Sequence, residues 1–270
     1  MQYDPVKRSL GNVFNKASWL RKLFYRLLDL LLLRAWYIKR EVKATLSDKK
    51  EQSLSILDAG SGYGQYDYFL SSYLKKANIL GVDVKEEQIE DCNQFFGQIG
   101  RGDRVKFEYA DLTKFVREDT YDLVLSVDVM EHILEDEKVF QNIQASLHKG
   151  GMLLISTPSD QGGSDVHDEH EHSFIDEHVR DGYNISDIQK KLKDAGFSKV
   201  EARYSYGTPG SLAWTISMKW PITMLNKSKL FFILLIPYYW IFYPLAFVLN
   251  WIDVSKSHSK GTGLIVKAVK

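Results

Sequence analysis

The middle of the chain alternates short apolar runs with helical stretches, and this alternation limits the possible folds more than any other feature. Strands are predicted at 54–58, 78–84, 105–109, 121–127, 152–156, 198–205 and 263–269. Helical periodicity occupies 66–76, 86–96, 136–147 and 186–195. The run 121–127 (YDLVLSV) is almost continuously apolar, as is typical of a parallel strand buried on both faces. The pattern therefore predicts an α/β fold with a mostly parallel sheet and helices on both faces.

A glycine-rich turn, DAGSGYG at 58–64, follows the first predicted strand and opens a helix. Its glycines let the backbone approach a ligand closely, and the helix start offers N–H donors. Asp83 ends the second strand, where a carboxylate can accept hydrogen bonds from two ribose hydroxyls. A dinucleotide fingerprint needs glycine at position 65, which is Gln65 here. The turn therefore favours a nucleoside ligand and disfavours a pyrophosphate.

Five motifs in order make the chain resemble the class I S-adenosylmethionine-dependent methyltransferases. They are ILDAGSGYG (56–64), LGVDV (80–84), YADLTKF (109–115), YDLVLSVDVMEHI (121–133) and LHKGGMLLISTPS (147–159). The resemblance covers roughly residues 52–207 and the last ten residues, and within the family it is closest to small-molecule enzymes such as the ubiquinone-biosynthesis O-methyltransferases. It implies a Rossmann-like sheet of seven strands with the last strand antiparallel, and S-adenosyl-L-methionine as the cofactor.

The resemblance also implies a set of cofactor-binding residues at successive strand ends. The glycines would pass under the methionine part of the cofactor, whose ammonium Asp58 would reach. Asp83 would hold the ribose and Asp111 the adenine amino group. The full implied set is Asp58, Gly60, Ser61, Gly62, Gly64, Asp83, Val84, Asp111, Leu112 and Ser126. Any one of the carboxylates taken alone is equally explained as a helix cap or turn residue. Their joint position at three strand ends favours a ligand site.

Methyl transfer from a sulfonium mainly requires alignment in a desolvated site, and a hydroxyl acceptor adds the need for a general base. The candidate catalytic residues are Asp128 and His132, which follow the fourth strand. His132 is otherwise explained as a structural histidine at a helix start. No Asn/Asp-Pro-Pro-Tyr/Phe motif follows that strand, which argues against nucleic-acid amines as acceptors. We expect no nucleic-acid partner.

The segment 165–172 (DVHDEHEH) is rich in carboxylates and histidines. Such residues can hold a divalent metal, but no helix fixes their geometry and no cysteine takes part. A polar lid over the active site, hinged at Gly162 and Gly163, explains the segment better. His170, His172 or His178 could then contact substrate. We therefore predict no metal site.

The formal net charge of zero is a cancellation between three parts of the chain. Residues 1–50 carry net +8, residues 51–207 net −14 and residues 208–270 net +6. All six tryptophans lie in the two basic ends. Basic charge, tryptophan and aliphatic surface together are attracted to an anionic membrane interface, although extra helices packed on the core have the same composition. The single cysteine excludes an internal disulfide.

The N-terminal part predicts a basic amphipathic helix over 19–38. Leu20, Phe24, Leu27, Leu28, Leu31, Ala35 and Ile38 would form its apolar stripe. Four basic residues interrupt it too often for a spanning helix.

A second apolar part, 230–252, contains 23 residues without a charge. It lies between the sixth and seventh strands, so a single membrane crossing would separate two strands of one sheet. We predict a helical hairpin that leaves and returns on the same face, broken into short helices at Pro237 and Pro244. It is either in contact with an anionic membrane surface or a soluble cap over an apolar substrate pocket.

These features divide the chain into four parts: an N-terminal helical segment at 1–50, a methyltransferase core at 51–207, a hydrophobic insertion at 208–260 and a final core strand at 261–270. The predicted function is methylation of a small, hydrophobic or lipid-like acceptor, in the cytoplasm or at the inner face of the cytoplasmic membrane. A catalytically inactive cofactor-binding scaffold at the membrane remains an alternative. A nicotinamide-dependent dehydrogenase is a further one, weakened by Gln65.

Overall fold

A computed structural model describes residues 17–162, 179–228 and 231–270 of the chain. Seven strands form one sheet in the order β3-β2-β1-β4-β5-β7-β6. The strands are β1 (Ser55–Ala59), β2 (Asn78–Asp83), β3 (Val105–Tyr109), β4 (Tyr121–Val127), β5 (Leu147–Pro158), β6 (Lys199–Ser205) and β7 (Gly263–Val269). Strands β1 to β5 pair in parallel, and β7 lies antiparallel between β5 and β6. The predicted Rossmann-like fold with an antiparallel last strand is confirmed.

Helices cover both faces of this sheet and leave the carboxyl ends of β1 to β4 at one edge. Four of them follow strands of the core: α3 (Gln65–Tyr73), α4 (Glu86–Gln98), α5 (Asp136–Ser146) and α6 (Ile185–Asp194). Buried aromatic and aliphatic side chains fill the two layers between helices and sheet. Phe95, Phe96 and Phe107 lie in one layer, and Phe140 and Ile188 lie in the other. This packing fixes the strand ends that the sequence predicts as a ligand site.

The N-terminal part forms two helices where the sequence predicts one. Helix α1 (Ser18–Leu31) and helix α2 (Leu33–Leu46) are separated at Leu32, whose backbone is extended. Within the predicted apolar stripe only Leu27 is exposed, while Ala35 and Ile38 are fully buried and Phe24 packs against the core. The buried residues of α1 itself are Arg21 and Tyr25, which are not part of the stripe. An apolar row of Trp19, Leu23, Leu27 and Leu30 is exposed.

The insertion between β6 and β7 is a helical hairpin, as its position in the sheet requires. The outgoing limb runs through α7 (Thr208–Trp214), a π-helical turn (Thr215–Lys219) and α8 (Trp220–Lys227), and the returning limb is α9 (Phe231–Ser255). The predicted break at the two prolines is wrong, because α9 continues through Pro237 and Pro244. Within the described residues, α9 is the single helix long and apolar enough to cross a membrane, with a mean hydropathy of 2.0.

Two tyrosines of α9 donate hydrogen bonds to backbone carbonyls of the outgoing limb. The hydroxyl of Tyr238 donates to the carbonyl of Ile216 at 2.7 Å, and that of Tyr239 donates to the carbonyl of Ser217 at 2.8 Å. Both carbonyls lie in the turn before Pro221, which has no N–H to donate to that turn. The two limbs are therefore joined by hydrogen bonds next to this proline.

Asp253 attaches the base of the hairpin to α2. Its buried carboxylate accepts hydrogen bonds from the Tyr37 hydroxyl at 2.6 Å and from the Gly210 N–H at 2.8 Å. His258 Nε2 lies 3.4 Å from the same carboxylate. A buried charge needs such partners to offset its desolvation. Asp253 thus holds both limbs of the hairpin against the N-terminal helices.

Candidate active site

The glycine-rich turn follows β1 and takes a conformation that favours glycine at three positions. Gly60, Gly62 and Gly64 have φ values of +88°, +50° and +73°, which are costly for residues with a Cβ. The N–H groups of Gly60 and Ser61 donate to the carbonyl of Val82, and that of Gly64 donates to the carbonyl of Ser61. The turn therefore uses these N–H groups internally, and the N–H donors expected for a ligand are those at the start of α3.

The turn closely approaches the segment after β4. A Cβ built on Gly60 would lie 2.3 Å from Cγ2 of Val129, which is far inside van der Waals contact. Glycine at position 60 is therefore what allows the turn after β1 and the segment after β4 to meet. This is the edge at which ligands of open parallel sheets bind.

Several buried polar atoms at this edge have no hydrogen-bond partner among the described residues. They include Oδ2 of Asp58 and the hydroxyls of Ser61 and Ser126. Burying such groups without partners costs free energy, so they indicate a polar ligand. The site thus fits a nucleoside cofactor with an amino-acid end. Asp58 can accept a hydrogen bond from the ammonium of that cofactor. The Ser61 hydroxyl lies in the turn after β1, and the Ser126 hydroxyl lies on the neighbouring strand β4.

Asp58 has a neighbour that the sequence does not reveal. Asp67, in the first turn of α3, is fully buried, and its carboxyl lies near that of Asp58. Burial raises the pKa of Asp67 to about 7. Burial and the charges of Asp67 and Asp83 raise the pKa of Asp58 as well. A cationic group of a ligand would offset the charge of this pair.

Asp83 and Asp111 lie at the ends of β2 and β3, as predicted, and both already accept backbone hydrogen bonds. Asp83 accepts from the N–H groups of Gly62 at 2.9 Å and Lys85 at 3.1 Å. Asp111 accepts from the N–H and hydroxyl of Thr113, which lower its pKa. Each carboxylate has lone pairs left for ribose or adenine donors. Val84 is exposed beside Asp83, and Leu112 is buried beside Asp111.

The predicted catalytic residues follow β4 and differ in their surroundings. Asp128 has a left-handed backbone (φ +52°) and forms an ion pair with Arg34 of α2. His132 is exposed at the end of a short 3₁₀ turn, Met130–His132. Between them, Glu131 is buried and accepts from the hydroxyl of Thr157, and burial with the charge of Asp128 raises its pKa to about 8. The structure thus brings Asp128 to the site together with a residue from the N-terminal helices.

Arg21 fastens α1 to the glycine-rich turn, which the sequence does not suggest. Its guanidinium donates to the carbonyl of Tyr63 at 2.9 Å and to Tyr25 at 2.8 Å, and it stacks on Phe95. The Tyr25 hydroxyl also donates to the Tyr63 carbonyl. The N-terminal helices are therefore part of the wall around the predicted cofactor site.

The histidine-rich segment at 165–172, together with His178, lies outside the described residues. Among the residues that are described, no group of three histidines, cysteines or carboxylates is placed to hold a metal ion. Gly162, one half of the predicted hinge, contacts Thr262 beside β7. The lid remains a prediction.

The sequence profile of the methyltransferase domain family matches residues 50–201. The chain belongs to this family. The match covers the sheet edge described above, the strands from β1 to β5 and the first three residues of β6. The resemblance to class I S-adenosylmethionine-dependent methyltransferases is therefore confirmed by the profile together with the fold.

Two curated relatives that match the methyltransferase domain are enzymes named for phosphoethanolamine and for ubiquinone biosynthesis. The domain is 31% identical to phosphoethanolamine N-methyltransferase 1 of Triticum aestivum, over 54% of this chain and 29% of that protein. It is 28% identical to the mitochondrial ubiquinone biosynthesis O-methyltransferase of Homo sapiens, over 46% of this chain and 35% of that protein. The chain spans about three tenths of the length of the phosphoethanolamine enzymes it matches.

Solved structures share the fold of the methyltransferase domain. Phosphoethanolamine N-methyltransferase 2 of Haemonchus contortus, in complex with S-adenosyl-L-methionine, has a TM-score of 0.58 at 20% identity, over 82% of this chain and 49% of that one. A sarcosine dimethylglycine methyltransferase from Galdieria sulphuraria has a TM-score of 0.57 at 16% identity, over 87% of this chain and 84% of that one.

Proposed function

We propose that the chain is an S-adenosylmethionine-dependent methyltransferase that acts on a small, hydrophobic or lipid-like acceptor. The observation that carries the proposal is the set of unpartnered buried oxygens of Asp58, Ser61 and Ser126 beside the Gly60–Val129 contact. Family membership supports the same cofactor. The relatives support a small-molecule acceptor, because those named above are a phosphoethanolamine N-methyltransferase and a ubiquinone biosynthesis O-methyltransferase.

The residues of the chain would mainly position two ligands. The cofactor supplies an activated methyl group when it is bound. Asp58 would hold the ammonium, Asp83 the ribose hydroxyls and Asp111 the adenine, while Gly60 allows close approach from below. Asp128 would accept the proton that the acceptor loses, and His132 is the second candidate base. Alignment of this kind can lower a barrier by about 7–11 kcal/mol.

Calorimetric titration with S-adenosylhomocysteine and with NAD tests the cofactor. We expect the first ligand to bind and the second to give no heat. Asp58→Asn and Asp83→Asn should each weaken the first binding, whereas Asp48→Asn, an exposed control on the same scaffold, should not. Binding of NAD alone would favour the dehydrogenase. Binding of S-adenosylhomocysteine without turnover on any lipid or quinone extract would favour the inactive scaffold.

The acceptor is to be sought in lipid and quinone extracts of cells with and without the protein. Mass spectrometry should find a species that differs by one methyl group between the two. The apolar surface of the hairpin supports a hydrophobic acceptor, because the hairpin adjoins the helices that line the site. A difference confined to water-soluble metabolites would contradict this part of the proposal.

A peripheral position at the inner face of the cytoplasmic membrane fits the exposed surface of the hairpin. Its exposed aromatic and aliphatic residues include Trp220, Phe232, Ile233, Ile236, Trp240, Ile241 and Trp251, each at least 48% accessible. Its charges from 208 to 252 are three lysines without an acidic residue, all between 219 and 229. Tryptophan and lysine together favour an anionic bilayer surface. Continuous apolar surface of this extent is unusual on monomeric soluble proteins.

Flotation with vesicles tests this position. We expect full-length protein to float with vesicles that contain phosphatidylglycerol and to float less with phosphatidylcholine alone. Replacing Trp220 and Trp240 with serine should reduce flotation without changing S-adenosylhomocysteine binding. If the full-length protein stays with the soluble fraction, while a 210–258 deletion changes only substrate affinity, the hairpin is a cap.

A further inference from the structure

Four side chains from four separate elements meet on the methyl-transfer side of the sheet edge. Arg34 comes from the first turn of α2, Tyr66 from the first turn of α3, Asp128 from the end of β4 and Tyr206 from the residue after β6. Asp128 and Tyr206 both have left-handed backbones, with φ of +52° and +54°. Such conformations cost free energy in residues other than glycine and cluster at functional sites. We call these four residues the Arg34 cluster.

The contacts of Arg34 within the cluster leave most of its donors available. One guanidinium nitrogen pairs with Asp128, and the Tyr66 hydroxyl lies beside the guanidinium. The backbone N–H of Arg34 donates to the Tyr206 hydroxyl at 2.9 Å. Because a hydroxyl that accepts still has its own hydrogen, Tyr206 can donate to a ligand. The side chains of Arg34 and Asp128 are 36% and 31% exposed, so a ligand can reach them.

Tyr66 connects the cluster to the predicted cofactor site. Its ring is buried, and its hydroxyl has no hydrogen bond of standard geometry among the described residues. The hydroxyl is close enough to Arg34, Asp128, Tyr206 and Asp58 for their charges to act on its pKa, which burial raises. Tyr66 therefore lies between the carboxylate predicted to bind the cofactor and the cation of the cluster.

The position of Arg34 on its helix also favours an anion. A helix N-terminus carries positive partial charge, so the first turn usually holds acidic residues. Helix α2 has no acidic residue there and has Arg34 instead. The guanidinium and the helix N-terminus thus add their positive potentials at one place, with Asp128 as the single carboxylate facing them in the cluster.

We propose that the Arg34 cluster binds a phosphate group of the acceptor, with Arg34, Tyr66 and Tyr206 as donors to its oxygens. Three donors from three separate elements suit the three outer oxygens of a phosphate monoester better than the two of a carboxylate. The phosphate would replace Asp128 as the partner of Arg34, which releases the Asp128 carboxylate toward the reacting end of the acceptor. This inference rests on the proposed methyltransferase function and narrows its substrate class to phosphorylated amphiphiles.

Calorimetric titration of the full-length protein with inorganic phosphate tests the cluster. We expect wild type to bind with a millimolar Kd, Arg34→Gln to weaken binding at least tenfold, and Tyr66→Phe and Tyr206→Phe to weaken it several-fold. Two controls should leave it unchanged. Arg117→Gln removes another partly exposed arginine that pairs with a carboxylate, Glu108, and Tyr73→Phe removes a hydroxyl at the other end of α3. Equal phosphate binding by wild type and Arg34→Gln would overturn the proposal.

Two further measurements keep the outcomes distinct. S-adenosylhomocysteine binding by Arg34→Gln should equal that of wild type, which would show that the variant is folded. If Arg34→Gln does not fold, Arg34→Lys takes its place in the test. This second variant keeps the charge and should bind phosphate with an affinity between those of wild type and of a variant without the cation. Failure of wild type to bind S-adenosylhomocysteine would refute the proposed function, while phosphate binding still tests the cluster. Flotation with phosphatidic acid vesicles, in competition with glycerol phosphate, separates a lipid headgroup from a free phosphate ester.

Discussion

The carboxyl groups of Asp58 and Asp67 lie close enough together, beneath the glycine-rich turn, for the charge of Asp67 to raise the pKa of Asp58. Both residues are buried, and among the described residues neither is paired with a cationic side chain. Two adjacent carboxyls cannot both ionise at low cost, so the pair retains a proton at pH values where exposed carboxylates have lost theirs.

This pair predicts how the stability of the ligand-free protein depends on pH. Because the pKa of Asp67 is raised in the fold to about 7, the folded state binds more protons than the unfolded state between about pH 4 and pH 7. The free energy of unfolding should therefore fall as the pH rises from about 4 to about 7, by at most about 1.4 kcal/mol per pH unit for one group. Asp67→Asn should flatten the slope in urea titrations, whereas exposed Asp48→Asn should not. Parallel slopes for wild type and Asp67→Asn would contradict the assignment.

The contact between Gly60 and Val129 predicts that position 60 tolerates no side chain. In Gly60→Ala the new Cβ would meet Val129 at 2.3 Å with φ at +88°, which should cost about 1–3 kcal/mol of stability and weaken S-adenosylhomocysteine binding at least tenfold. Val129→Ala should partly rescue the variant. Gly97→Ala is the matched control, because its Cβ meets nothing within 4 Å in helix α4 and gains about 1 kcal/mol of helix propensity. An unchanged affinity in Gly60→Ala would show that the turn does not contact the cofactor.

Asp253 predicts a mechanical link between the hairpin and the N-terminal helices. Asp253→Ala removes the carboxylate that accepts from the Tyr37 hydroxyl and the Gly210 N–H, and leaves Tyr37 only the backbone carbonyl of residue 253 as an acceptor. The loss should cost about 2–5 kcal/mol in urea unfolding. We also expect faster proteolysis within 208–258. Asp253→Asn keeps one carbonyl acceptor and should cost less. If the alanine variant unfolds like wild type and resists protease equally, the Asp253 carboxylate is not needed to hold the hairpin against the N-terminal helices.

The hydrogen bonds of Tyr238 and Tyr239 predict that removing a tyrosine hydroxyl has a larger effect in lipid than in water. Tyr239→Phe removes the donor to the Ser217 carbonyl, which in water should cost only about 0.5–1.5 kcal/mol, because solvent can replace it. In an apolar surrounding the carbonyl has no substitute partner, so the variant should lose far more flotation with anionic vesicles than stability in buffer. Tyr243→Phe is the control, since its hydroxyl bonds the Leu30 carbonyl at an exposed position. Equal small effects in both measurements would place the hairpin in water.

The strands could be predicted from the sequence because their signal is local. The apolar run 121–127 coincides with β4, and the predicted strands at 105–109 and 263–269 coincide with β3 and β7. The buried polar contacts of the helices could not be predicted in this way. Arg21 is buried because Tyr63, Tyr25 and Phe95 surround it, and those partners lie up to 74 residues away in the chain. Hydrophobic periodicity alone therefore could not show that Arg21 and Tyr25 are the buried residues of α1.

The residues of the candidate site also fall into a group that the sequence predicts and a group that it does not. Asp58, Asp83 and Asp111 follow strands whose ends meet at one edge, so their positions follow from the topology. Asp67, Tyr66 and Arg34 reach the site from helices, and no motif indicates which of their turns faces inward. The sequence also does not reveal that α9 continues through Pro237 and Pro244, or that Tyr238 and Tyr239 of this helix donate to the other limb. The inward-facing turns and the tyrosine contacts depend on segments that are distant in the chain.

The place of β7 in the sheet sets an order of events during synthesis. Strand β6 pairs with β7 and β7 with β5, so the ribosome must release residues 263–269 before β6 can join the sheet. The hairpin between them emerges first, with its apolar surface already present. The sheet of a nascent chain therefore stays open beside β5 while the apolar surface of the hairpin is already exposed, and pairing of β7 with β5 and β6 then closes it.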